Sequence, residues 1–498
     1  MANVEIADEH LAPTEEISLR VVKKRAVRGV ATLTGRTFIL QIISLSAFAL
    51  LGGLLTPEQM GVYFLAFAIK NFFAYFADIG LAAAIIQKKG NVTEKELRTT
   101  FTVQQGQVLL LLIIMIAATP LFKVWYGLSD ASVHFLWALG ASLLFSSLRT
   151  IPSTLMEREL RFGRFVIPQI VDALIFYVLS VTLVWIGFGI TGFTIAVLVS
   201  GLVSLILTYV LYPWIPGFAF SKDSFKRLLR FGLPYQLNTF LAVAKDDGMT
   251  MFLGGILGPA GIGYIVWAKK WADLPLRFAM DPVNKVTFPA FSRMQNNANE
   301  LSQAVNKSIL FICSFVFPAV LGIVLVAGPI ISTIPSYGKW EPALLALGLV
   351  GINSVWAAVS TPLTNFLNAT GKISITFRLM IMWTLLTWIS LPFLSLKYSV
   401  NGTALGFALV GTSSIIAIVW VSKFVKIDFL GSIIKPLLAT IGMGLVVFVA
   451  GNIVPLSVFG IVGLVVVGIF TYISLLSFLV GKQIVTDIKN LYGASREN

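Results

Sequence analysis

The sequence has one cysteine, Cys313, so no disulfide can form within the chain. It has two histidines, His10 and His134, far apart, and no HExxH or Cys/His cluster, so no metal site is expected. Nothing resembles a P-loop or a DxD motif, no cofactor is implied, and no connection is long enough to fold as a domain. These absences argue against an enzyme. Charge is scarce as well: 12% of the residues are Asp, Glu, Lys or Arg, against about 25% in soluble domains. What fills the chain is apolar, 57% of the residues with a mean hydropathy of +0.87. Apolar runs of about 20 residues, the length of a membrane-crossing helix, recur along nearly the whole sequence. The segment before them is polar to about Arg28 and then enters a full-length run, which does not read as a cleavable signal peptide.

The pattern predicts an all-α integral membrane protein with about fourteen spans. They lie near 29–55, 60–85, 100–122, 131–150, 165–186, 190–212, 229–256, 261–281, 305–333, 342–368, 375–396, 401–422, 433–453 and 457–480. Alternate connections differ in Lys and Arg. One set carries Lys23, Lys24, Arg25 and Arg28, then Lys88, Lys89, Lys95 and Arg98, then Arg149, Arg158, Arg161 and Arg164, with further members through to the C-terminal segment. The opposite set holds Lys123, Lys339 and Lys397. By the positive-inside rule both termini are cytoplasmic. The net charge of +14 is therefore largely topology, and no nucleic-acid partner is expected.

A short repeat is visible. The turn LTPEQMGVY after the first span and the turn LGPAGIGYI after the seventh share Leu-x-Pro-x-x-x-Gly at Leu55, Pro57, Gly61 and at Leu257, Pro259, Gly263. The copies are six spans apart, so they enter the membrane in the same direction. Two pseudo-symmetric six-helix lobes follow, an arrangement seen in transporters. The expected organisation is an N-terminal segment 1–28, an N-lobe 29–212, an amphipathic linker 213–230, a C-lobe 231–422, two more spans in 423–480 and a tail 481–498. In the linker, Phe225, Leu228 and Leu229 interleave with Lys226, Arg227 and Arg230, the pattern of a helix lying at the membrane surface.

Four stretches carry a family resemblance: LLTPEQMGVYFLA with FADIGLAAAIIQ; IPSTLMERELRF; FLGGILGPAGIGYIVWAKKWADLP with VTFPAFSRMQ; and GKWEPALLALG with NFLNATGK. The chain resembles the polysaccharide transporter (Wzx-type flippase) family of the multidrug/oligosaccharidyl-lipid/polysaccharide superfamily. The resemblance implies two lobes around a central cavity that opens alternately to each side. It implies translocation of isoprenoid-diphosphate-linked oligosaccharides across the bacterial inner membrane, with membrane lipids, a polysaccharide polymerase and chain-length machinery as partners.

Charges inside the spans are where function is expected, because each costs roughly 2.5–3.5 kcal/mol at the bilayer centre. The basic ones are Arg36, Lys70, Lys245, Lys269, Lys270 and Arg277; the acidic ones are Asp78, Asp172, Asp246, Asp247 and Asp273. Arg25, Arg28, Gly29, Thr32 and Arg36 fall on one stripe of the first span, and Lys269, Asp273 and Arg277 on one face of the eighth. Such faces suit protein or water, not lipid. They are open to two readings, structural ion pairing or a cationic cavity for a diphosphate, for which Arg36, Lys70, Lys269 and Lys270 are the candidate contacts. The resemblance supports this on the first, second and eighth helices, where basic residues serve the related lipid II flippases. Gln104, Gln105, Gln107, Gln169, Asp172, Asn353, Trp356, Trp267 and Trp271 are candidate sugar contacts. Asp78, Asp246, Asp247 and Asp273 are candidates for coupling to an ion. Two alternatives stay open: a cation-coupled multidrug exporter and a lipid II flippase.

Overall fold

A computed structural model describes residues 19–88, 90–455 and 457–480. The expected cytoplasmic tail 481–498, the first 18 residues, and the side chains of Arg25 and Arg28 lie outside what is described. Among the described residues all regular structure is helical. In chain order the α-helices are α1 (Leu19–Leu54), α2 (Pro57–Ala77), α3 (Leu81–Gln87), α4 (Glu94–Tyr126), α5 (Asp130–Leu148), α6 (Thr150–Arg158), α7 (Phe162–Trp185), α8 (Ile190–Leu211) and α9 (Lys222–Val243). They continue as α10 (Met249–Ala272), α11 (Leu274–Met294), α12 (Ala298–Thr333), α13 (Leu344–Ala369), α14 (Ile373–Thr412), α15 (Ile415–Val421), α16 (Lys435–Gly451) and α17 (Val458–Val480).

Twelve stretches among the described residues are long and apolar enough to cross a membrane. Two of them are interrupted by a break in the helical backbone. The stretch Phe240–Ala272 has 33 residues and Ile373–Val421 has 49, about 50 and 74 Å of helix against a hydrocarbon core of about 30 Å. Each contains a residue with non-helical backbone, Gly258 (φ 65°, ψ 177°) in the first and Ser399 (φ 53°, ψ −132°) in the second. Counted across those breaks, the twelve stretches become the fourteen spans read from the sequence. Gly258 needs no side chain to sit at positive φ. Ser399 does so with a side chain, and the Ser395 and Thr403 hydroxyls meet at 2.6 Å across that break.

Local sequence sets the helix ends. Thr56 and Thr93 each begin a capping box, with Gln59 and Glu96 closing it, and Pro57 occupies the first turn of α2. Gly127 ends α4 in the left-handed conformation.

The chain divides into two compact units, Met1–Ala260 and Gly261–Asn498. In unit 1, α7 packs on α8 and α1, and α5 packs on α2, α4 and α8. Its centre is aromatic: Tyr63, Phe135 and Phe193 are buried, with the Tyr63 and Phe193 ring centroids 4.8 Å apart and those of Phe135 and Phe193 5.7 Å apart. A second cluster joins Leu81, Ile85, Phe101, Ile151, Trp214 and Leu228. Arg158 ties this cluster together. Its guanidinium donates to the carbonyls of Ile85 (2.5 Å), Lys88 (2.9 Å) and Gly90, which caps the C-terminal end of α3. Residues 213–221 run along the start of α4, where Ala219 and Ser221 donate backbone N–H groups to Thr102 (3.0 Å) and Thr99 (3.1 Å). Leu228, in the first part of α9, is buried against protein. Gly80 and Gly232 meet backbone to backbone, a contact that any side chain on either would block.

In unit 2, α12 is the central helix and packs on α11, α13, α16 and α17. Phe291, Val305, Ile309, Ile312, Cys313, Leu363 and Phe366 form its buried core.

Candidate functional site

Unit 1 holds a polar-lined cavity of about 640 Å³. Arg36 from α1, Lys70 from α2, Arg149 from the end of α5, and Gln169 and Asp172 from α7 all line it. Arg149 is held in place: it donates to Asp172 Oδ2 at 3.2 Å and to Ser204 Oγ on α8. Ser204 in turn donates to the Pro168 carbonyl at 3.1 Å. Lys70 lies within electrostatic reach of Asp172, Arg149 and Asp247. Two polar atoms on this wall, Arg36 Nε and Gln169 Oε1, are buried and have no hydrogen-bond partner among the described residues. Unsatisfied buried groups are uncommon in native proteins, and each asks for an explanation.

The cavity has a direction. Glu157, Ser153 and Thr150 on and beside α6 line the end that holds Arg149. Tyr63, Phe67, Phe176 and Tyr177 line the other. Along α2, Tyr63 lies about 10 Å from Lys70, and along α7 Tyr177 lies about 12 Å from Gln169. Three cations and two carboxylates therefore sit toward one end, where Phe145 and Phe165 also line the wall, and Tyr63 and Tyr177 sit toward the other. Burial pushes the Glu157 carboxyl up from its ordinary value.

In unit 2 the charges of the eighth span sit at a helix joint. α10 ends at Ala272 and α11 starts at Leu274, with Pro275 in its first turn. Proline is acceptable there and would break a continuous helix. Asp273 at the joint is 8% exposed. It accepts from Lys269 Nζ at 3.0 Å and from Ser354 Oγ on α13 at 2.8 Å. Lys269 is nonetheless about one-third exposed, and its ammonium stands 5.7 Å from the Phe407 ring centroid. Lys270 is half-buried and Arg277 exposed. Lys269 bonds the buried carboxylate, and Lys270 and Arg277 lie near it along the chain.

Residues 50–345, more than half of the chain, match the family model described as polysaccharide biosynthesis protein. The chain belongs to that family. Teichuronic acid biosynthesis protein TuaB of Bacillus subtilis (strain 168) is 22% identical over 450 residues, covering 86% of this chain and 89% of TuaB. Succinoglycan biosynthesis transport protein ExoT of Rhizobium meliloti (strain 1021) is 22% identical over 454 residues, covering 87% of each chain. Among solved structures, lipid II flippase MurJ in an inward closed conformation superposes with a TM-score of 0.71 at 17% identity, over 89% of this chain and 98% of MurJ. At that identity the likeness is one of fold. This polysaccharide biosynthesis protein is a multi-pass membrane protein of transporter fold.

The other sequence candidates fall in several places. Trp267 is 4% exposed and stacks on Trp340, with centroids 5.2 Å apart and planes at 7°. With Trp271, Pro318, Gly322, Val447 and Tyr472 it lines an apolar groove of about 660 Å³ in unit 2. Asn353 packs against Gly411, one residue from Ser354. Gln104 and Gln107 are on α4, outside the lining of the unit 1 cavity, and each has a buried amide oxygen with no partner among the described residues. Asp78 accepts the Gly80 N–H at 2.8 Å, just before the first residue of α3. Lys245, Asp246 and Asp247 occupy a π-helical turn, Ala244–Gly248. Lys245 pairs with Asp246 at 2.6 Å, and Asn71 donates to Asp247 at 3.4 Å.

Two lining residues of the ionic end, Arg149 and Glu157, and Ser204, which holds Arg149 from behind, do not stand out in the sequence as site residues. Arg149 was counted with the loop cations because it follows the fourth span. A signal existed. Ser142, Ser146, Arg149 and Ser153 recur at helical spacing, a polar stripe that runs off the end of the span.

Proposed function

We propose that this protein is a flippase that moves isoprenoid-diphosphate-linked oligosaccharide repeat units across the bacterial inner membrane by alternating access, with both termini in the cytoplasm. TuaB and ExoT carry names of surface-polysaccharide biosynthesis and transport, which supports that substrate class. The observation that carries the reading is the gathering of Arg36, Lys70 and Arg149 from three helices onto one chamber. Cations in a cleft with low-dielectric walls attract a diphosphate strongly, because screening there is weak. In unit 2, Lys269 and Lys270 are further candidate contacts for a phosphate group. A multidrug exporter for cationic compounds would want the opposite sign.

No covalent step is needed. The diphosphate is bound, the chain exchanges between its two access states, and the headgroup is released on the far side. Of the four acidic candidates for ion coupling, Asp78 is engaged at the start of α3, Asp246 by Lys245 and Asp273 by Lys269 and Ser354. Asp247, on a π turn of the kind often found at functional sites, is the one retained for coupling. Flux that ignores both the proton and the sodium gradient removes it from that role.

Deletion of the gene tests the function. The expected outcome is loss of a surface polysaccharide, accumulation of its lipid-linked repeat unit, and unchanged tolerance to cationic drugs. Normal polysaccharide with increased drug sensitivity reverses the assignment in favour of the exporter. Lost viability with halted peptidoglycan synthesis points instead to lipid II.

A further inference from the structure

The aromatic end of the unit 1 cavity is left without a role by a diphosphate held at its ionic end. Tyr63, Phe67, Phe176 and Tyr177 close that end, and hydroxyl groups line the walls between, from Ser142 and Ser146 on α5 and Ser200 on α8. Gln169, Ala173 and Tyr177 fall at i, i+4 and i+8 on α7, so they form one stripe leading from the ionic end to the aromatic end. The Gln169 amide oxygen on that stripe is buried and has no partner among the described residues. Ser142 and Ser200 donate to the Leu139 and Val197 carbonyls of their own helices, at 2.7 and 3.4 Å, which leaves their oxygens as acceptors on the wall beside that of Gln169. The cavity volume of about 640 Å³ falls within the range of about 300–1,000 Å³ typical of small-molecule sites.

We propose that this aromatic end is a glycan chamber, which receives the sugar rings that follow the first one attached to the diphosphate. The inference rests on the flippase reading and adds where the repeat unit is read. Sugar rings present hydroxyls on their edges and C–H groups on their faces. The hydroxyls match Gln169, Ser142, Ser146 and Ser200, and the faces match the rings of Phe67 and Tyr177. The geometry orders the substrate: phosphates lie beside Arg36, Lys70 and Arg149, and sugars extend toward Tyr63 and Tyr177. The chamber, more than the cation cluster, then sets how long or how branched a repeat unit the protein accepts.

The test compares two lipids on the full chain in proteoliposomes. One is the lipid-linked repeat unit that accumulates in host cells deleted for the gene. The other comes from cells that also lack the second glycosyltransferase, and so carries the first sugar only. Ala173→Trp fills the chamber midway along its stripe, and Gln169→Leu removes the unpartnered oxygen at nearly constant volume. Each variant is expected to slow transport of the complete unit at least tenfold and of the one-sugar lipid less than threefold. Equal losses on the two lipids, or no loss on either, overturn the chamber and leave the flippase reading standing. If wild-type protein moves neither lipid, the flippase reading fails and takes the chamber with it. Should Ala173→Trp not insert, Gln169→Leu decides the matter alone.

Discussion

Unit 1 and unit 2 each hold a cavity, of about 640 and 660 Å³, and the two are chemical opposites. The first gathers Arg36, Lys70, Arg149, Asp172 and Glu157 around hydroxyls and a few aromatic rings. The second is walled by Trp267, Trp271, Pro318, Gly322, Val447 and their apolar neighbours. Both are built from long apolar helices of the same kind, so the helices alone do not decide what a cavity does. What decides it is which side chains sit on the inward stripe. Unit 2 keeps its charges apart from its groove, at the joint between α10 and α11, where Asp273 is buried and Lys269 stays partly exposed.

That contrast can be broken from either side. The largest effect is expected at the joint. Lys269→Ala with Lys270→Ala removes two charges that would each contribute about 1.5–3 kcal/mol through charge-assisted bonds. Export of the polysaccharide should fall at least a hundredfold, with normal amounts of protein in the membrane by immunoblot. Charge tolerance comes next. Ile323→Lys puts an ammonium into the groove of unit 2 and should cost about 2.5–3.5 kcal/mol, read as a loss of folded protein on heating in detergent. Ser146→Lys in the unit 1 cavity should cost less than about 1 kcal/mol, because that wall is already polar. Equal costs at the two sites would erase the contrast.

A subtler break concerns the Arg149–Asp172 pair. Arg149→Met leaves Asp172 without its guanidinium and should lower stability by about 2 kcal/mol. Adding Asp172→Leu should restore stability and leave export impaired, since the cation is still missing. Recovery of export in the double variant would mean that the pair is structural only. The smallest effect belongs to the helix caps. Thr56→Ala opens the capping box of α2 and should cost about 1 kcal/mol, with export unchanged.

Much of the fold was legible in the sequence because the bilayer imposes it. A crossing helix needs about 20 apolar residues, and each such run announces itself. The breaks at Gly258 and Ser399 fall between runs that were already read as separate spans. The site was less legible, for a reason of geometry. Trp267, a candidate sugar contact from the sequence, is near Lys269 along the chain but not in direction. On a helix, residues two apart lie about 200° apart, so Lys269 turns toward Asp273 while Trp267 turns toward Trp340. Arg149 was missed for the converse reason. Its place at a span end suggested a loop cation, and its inward role depends on Asp172 and Ser204, which come from helices that only folding brings together. Asp78 looked like an intramembrane acid, and its carboxylate in fact accepts the Gly80 N–H at the start of α3. Of the intramembrane charges, Arg36, Lys70 and Asp172 fall on one cavity. Charge within a span did not distinguish a carboxylate that engages backbone from one that faces a chamber.

The central claim is that cations in this protein hold the diphosphate of a lipid-linked oligosaccharide during its passage across the membrane. The most direct measurement is transport of that lipid by purified protein in proteoliposomes, comparing wild type with Lys269→Ala, Lys270→Ala and with Arg36→Ala, Lys70→Ala. The account predicts transport by the wild-type protein and its loss in both double variants, with competition by an isoprenoid diphosphate that carries no sugar. Wild-type rates in either double variant, or no competition by the bare diphosphate lipid, would contradict it.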